Sequence, residues 1–110
     1  MTHTPGPWYC DVTSVYALND AGTNRMFLNV QTGFNNDAQR TAIGELASNA
    51  RLIAAAPDML EALRHAEMFI NNGIELGYIR EPDPVDAAHK TLPAIRAAIA
   101  AATGAKEGRA

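Results

Sequence analysis

Cysteine is almost absent from this chain. Cys10 is the one cysteine among 110 residues, so no disulfide can close within the chain, and no second Cys or nearby His gives metal-ligand spacing around it. His3, His65 and His89 lie far apart, and neither a metal nor a cofactor is expected. Aromatic residues make up only 6%. Much of the 47% hydrophobic fraction is alanine, which buries little area per residue, so the helices need close partners of the kind a homo-oligomer supplies. Positive charge is in deficit. Nine Lys+Arg against twelve Asp+Glu leave a net charge of −3, which argues against a duplex nucleic acid partner, because counterion release needs a basic face. A small anionic ligand remains within reach of two or three arginines. No apolar run approaches membrane-spanning length, and the first residues lack the basic-then-apolar order of a signal peptide. The expected compartment is the cytoplasm, with no membrane partner. There is no Ser-centred elbow, phosphate-binding glycine loop or HExxH pair. No catalytic residue is assigned, and a non-enzymatic protein is expected.

What remains is a patterned α+β sequence. Pro5-Gly6-Pro7 forces an extended lead-in. Trp8–Val12, Val15–Leu18 and Arg25–Gln31 carry β-branched and aromatic residues in alternation, and Asn19-Asp20-Ala21-Gly22 reads as a turn. Arg40–Ile43 is either a last strand or the approach to a helix. This predicts an antiparallel meander of three or four strands. Helix is expected from Gly44 or Glu45, with Leu46, Asn49, Leu52, Ile53 and Ala56 on one stripe. Pro57 should kink or restart it, and a restart suits Pro57 in a first turn followed by Asp58 and Glu61. Asn71-Asn72-Gly73 is the expected stop. Asp83-Pro84-Val85-Asp86 is the expected start of the last helix, with Pro93 bending or splitting it. The two long helical segments should pack antiparallel and mediate self-association. The expectation is one α+β domain over residues 1–104, with 105–110 a flexible C-terminal tail.

Among the candidate residues, Asn49 stands out because asparagine competes poorly for a mid-helix place. It either holds the sheet-to-helix junction or, with Arg51, faces a cleft that binds a polar or phosphate-bearing ligand. Arg40 precedes the helix and would join Arg51 in an anion site. Arg96 lies on the last helix, where it would cross to a partner in a dimer and join Arg51 and Arg40 in meeting a ligand phosphate. Trp8 is either a core anchor or a platform for stacking a base. Phe27, Phe34, Tyr9 and Tyr16 divide the same way, and Phe27 is retained as the alternative platform. Cys10 is expected as a small buried hydrophobe.

Three stretches carry a resemblance: His3-Thr4-Pro5-Gly6-Pro7-Trp8, the run from Asn49-Ala50-Arg51-Leu52-Ile53 through Pro57-Asp58-Met59-Leu60-Glu61-Ala62-Leu63, and Arg96-Ala97-Ala98-Ile99-Ala100. Together they look like a widespread family of small bacteriophage and prophage proteins. The layout resembles more loosely the phage Thoeris anti-defence proteins, in which a sheet is followed by paired helices and the chains form oligomers. That resemblance implies a non-enzymatic sponge for a small nucleotide-derived host immune signal, a cyclic nucleotide or cyclised ADP-ribose, held at subunit interfaces. It implies a polar Asn/Arg pocket, placed here on Asn49 and Arg51. The alternative is a protein-interaction module or structural homo-oligomer of phage origin.

Overall fold

A computed structural model describes residues 2–33 and 41–105 of the chain. Its elements are β1 (Tyr9–Asp11), β2 (Ser14–Leu18), β3 (Asn24–Asn29), α1 (Ile43–Ala54), α2 (Ala56–Glu75), a short 3₁₀ helix (Ala87–Lys90) and α3 (Thr91–Thr103). The class is α+β, an antiparallel meander in the order β1-β2-β3 followed by helices. The chain divides into two compact units, Met1–Asp58 and Met59–Ala110.

The first unit is the sheet and α1. The β1–β2 turn is two residues long, because Asp11 pairs with Ser14. Val12 takes φ 55° there, so the strand expected to run to Val12 ends at Asp11 and begins only at Tyr9. The β2–β3 loop is built on Asn19. Its Oδ1 accepts from the backbone N–H groups of Ala21 (3.0 Å) and Thr23 (3.1 Å), and its Nδ2 donates to Thr23 Oγ1 at 2.8 Å. Gly22 closes the loop at φ 82°. A side chain that mimics backbone partners in this way is why asparagine favours turns.

Val15 and Ala17 point to one face of β2 and are buried, together with Ala50 of α1, which packs on β1 and β2. Two alanines meeting there allow close approach of helix and sheet. This rotates the expected stripe of α1. Leu46, Ala50 and Ile53 turn inward, whereas Asn49 and Leu52 are exposed. Large apolar residues mark a periodicity, but the smallest residue marks the point of contact. Cys10, expected inside, is exposed on the edge strand. Among the described residues Thr41 and Ala42 form no strand, and Ile43 opens the helix, so three strands are seen; Phe34 and Arg40 lie outside the described residues.

Pro57 is the second residue of α2, so the helix restarts there, as its first-turn chemistry predicts. The lead-in lies against it. A Cβ at Gly6 would sit 3.1 Å from Pro57 Cβ, so the Pro-Gly-Pro stretch and the helix restart touch.

The second unit contains most of α2, the connection after it and α3. Its helix does not stop at Gly73. The break comes at Gly77, with φ 81°, where Gly77 N–H donates to Ile74 O (3.1 Å) and Tyr78 N–H to Gly73 O (2.8 Å). This paired pattern caps a helix through a left-handed residue. Gly73 is glycine for another reason: the Ile79 side chain folds back onto it. The last helix also starts later than expected. Asp83 O accepts from Asp86 N–H in a turn, and Asp86 rather than Asp83 is the cap, accepting from Ala88 N–H at 2.9 Å. The 3₁₀ turn runs into α3 with Pro93 as the third residue of α3, where no intrahelical N–H is needed. Arg96 Nε donates to Glu67 Oε2 at 3.0 Å and its Nη2 to Asn71 Oδ1 at 3.1 Å. These bonds join α3 to α2, and Ile70 and Ile74 of α2 line one concavity with Leu92 and Pro93 of α3. Leu60 is the buried residue of this unit. Of the expected tail, only Ala105 is described.

Candidate functional site

Strand register places three aromatic rings in a row. Tyr9 pairs with Tyr16, and Tyr16 with Phe27, so all three share the sheet face opposite Val15 and Ala17. The Tyr9 and Tyr16 rings are stacked, with centroids 5.4 Å apart and planes inclined by 30°. Phe27 remains 58% exposed. Within the first unit α1 packs on the opposite face, where Val15 and Ala17 are buried.

Asn29, two residues beyond Phe27 and about 7 Å along the strand, begins a polar margin. Its Oδ1 accepts from Thr13 Oγ1 (3.1 Å) and Ser14 Oγ (3.2 Å). Asn29 and Thr13 also line a groove of about 540 Å³ with Thr32, Thr41, Ile43 and Leu46. This groove lies at the start of α1. Ala42 offers no side-chain cap, and Thr32 Oγ1 is already taken by Thr41 N–H at 2.9 Å. An uncapped helix start presents N–H donors and the positive end of the dipole. The aromatic row and a polar, donor-rich groove therefore adjoin at Asn29.

The residues singled out from sequence fall in several places. Phe27 is in the row. Trp8 is half-buried just before β1, and its Nε1–H donates to Thr4 O at 3.0 Å, with His3 edge-on at 6.2 Å. Its ring is engaged within the lead-in. Asn49 and Arg51 are both exposed on α1, about 200° apart around the helix, so they do not face one point. Arg51 Nη2 donates to Ser48 Oγ at 2.9 Å. Arg51 and Phe27 lie on opposite sides of the sheet. Arg96 belongs to the second unit, and Arg40 lies outside the described residues. Tyr16 and Tyr9 belong to the row but are not among the ligand-binding residues expected from the sequence. Their equal distance from the Val12–Thr13 turn was the signal that places them opposite each other. Arg25, the extra residue where β3 bulges against Ala17–Leu18, is the basic side chain nearest in sequence to Phe27 and was also left out.

The second unit has its own concavity of about 370 Å³, with walls from Ile70, Ile74, Ile79 and Leu92, and with His89 and Arg96 at its margin. Among the described residues no three His, Cys, Asp or Glu side chains come together as a metal site, and no helix is long and apolar enough to cross a membrane.

A three-stranded meander with one face covered and the other left aromatic defines a small α+β protein with an open sheet surface. Residues 1–106 match the family model described as Salmonella phage P22 protein Y8K6, and the chain belongs to that phage protein family. No curated protein and no solved structure matches it.

Proposed function

We propose that this is a phage accessory protein, acting in the host cytoplasm, that binds a small nucleotide-derived host immune signal without turning it over. The observation that carries this reading is the junction at Asn29 between the aromatic row and the uncapped start of α1. A base stacks on Phe27 and Tyr16. Asn29 meets a ribose hydroxyl or base edge, and phosphate is drawn toward the α1 N–H groups and the hydroxyl of Thr41. Aromatic rings on an open sheet are a platform for bases, and the net charge of −3 favours one small ligand over a polynucleotide. Arg51 and Asn49, on the far side of the sheet from Phe27, contribute only from another copy, so a site that uses them is a subunit interface.

The test is a thermal-shift and equilibrium-dialysis panel of cyclic nucleotides and cyclised ADP-ribose. At about a hundredfold over the dissociation constant, a ligand adds about 2.7 kcal/mol of stability. Phe27→Ala should weaken capture by about 1–3 kcal/mol, the usual loss for one stacked base. Arg51→Ala should weaken it only if a second copy completes the site. No shift and no depletion of free ligand with any member of the panel would sink the proposal.

A second reading is a protein-interaction module, supported by the apolar concavity of the second unit, whose isoleucine walls suit a partner's side chain better than a phosphate. Recovery of one stoichiometric host or phage protein, lost on Ile74→Asp, would favour it.

A further inference from the structure

The second unit is short of interior. Among its described residues only Leu60 is buried, while Met68 is 56%, Phe69 72%, Leu76 71% and Tyr78 85% exposed. These four do not lie scattered. With His65, Asn72, Gly73 and Ile79, they border one shallow depression of about 500 Å³ on the outer side of α2 and its following turn. Taking about 150–250 Å² for each large side chain, their exposed fractions amount to on the order of 550 Å² of contiguous apolar surface, the upper end of what a monomer leaves bare.

From this we infer that the Met68–Phe69–Leu76–Tyr78 face is covered by the same face of a second copy. Three observations select a copy of the chain over another partner. The residues that border the depression include no Lys, Arg, Asp or Glu, so pairing the face with itself sets none of these charges against its like. It has both the hollow and the projecting rings that fill one, which is the self-complementarity a two-fold contact needs. Two such faces also remove about 1,100 Å² in total, above the roughly 1,000 Å² that a specific contact must clear. An apolar surface that the described residues leave bare needs cover wherever the chain is made, and only another copy is always present in equal amount. The inference shares with the proposed function only the idea that copies associate. It does not depend on any ligand.

Sedimentation velocity across the micromolar range tests it. The parent should sediment at twice the chain mass or a multiple of that. Phe69→Ser and Tyr78→Glu, each at a side chain with little packing within its own chain, should keep the parent's far-UV circular dichroism. Each should raise the dissociation constant about thirtyfold or more, as expected for a central contact residue. Phe27→Ala should leave the mass unchanged. A parent that stays monomeric, or Phe69→Ser and Tyr78→Glu variants that assemble as tightly as the parent, would overturn the assignment. A nucleotide shift that survives in monomeric Tyr78→Glu would overturn the interface site, not this contact. Loss of that shift in Phe27→Ala with the mass intact separates the two in the other direction.

Discussion

Replacing Gly73 with alanine sets two effects of known sign against each other. Gly73 is eighteenth of the twenty residues of α2, and alanine in place of glycine inside a helix gains about 1 kcal/mol. The added methyl, however, would collide with Ile79, running into Cδ1 and lying 2.6 Å from Cγ1 and 3.3 Å from Cβ. Isoleucine is branched at Cβ and stiff at χ1, so its side chain cannot swing clear alone. The turn must move, and with it the N–H bonds that Tyr78 and Ile79 make to Gly73 O. Overpacking of this kind costs about 1–3 kcal/mol, and one strained bond adds about 1 kcal/mol. The net expectation for Gly73→Ala is a loss of about 1–3 kcal/mol. The informative measurement is the cycle with Ile79→Ala. Once the isoleucine is removed, the collision is gone, and the same Gly73→Ala change should stabilise by up to about 1 kcal/mol. The sign reverses, giving a coupling of about 2–4 kcal/mol. Urea unfolding followed at 222 nm, with protein concentration fixed so that association does not enter, reads all four corners. If Gly73→Ala stabilises the parent, or acts alike in both backgrounds, the packing argument is wrong.

Two further outcomes follow from the sheet. Val12 holds a β-branched side chain at φ 55°, a left-handed conformation that asparagine adopts more readily, so Val12→Asn should stabilise by about 1 kcal/mol, seen as a raised melting temperature. Asn19→Ala removes the acceptor for two backbone N–H groups and the donor to Thr23; the expected loss is about 1–2 kcal/mol in the same assay, and Asn19→Asp, which keeps the acceptor, should recover part of it.

Local chemistry was legible in the sequence. The Pro57 restart, the Asn19 turn and the period-two strands depend on residues and their immediate neighbours, and all three are found. The order sheet then helices followed from the same signals. What failed depended on distant contacts. Gly73 and Gly77 are equally plausible stops until Ile79 is seen to need the space over the first of them. Asp83 and Asp86 are equally good caps until the turn between them is closed. The stripe on α1 was assigned to its largest residues, whereas contact with the sheet fell to Ala50, because Ala17 faces it. The site was legible only in part. Phe27 could be picked out as an aromatic ring on a strand, but its neighbours depend on a register that joins three strands. Asn49 and Arg51 drew attention by their position in the chain, and helix geometry turns them apart.

The contact between Gly6 and Pro57 has a consequence in time. During synthesis the Pro-Gly-Pro lead-in emerges before the surface it rests on, which is made some fifty residues later. Until the second helix has begun, this lead-in lacks its contact at Pro57, and closing so long a loop adds entropy cost that only the finished junction offsets. A segment made early is fixed late.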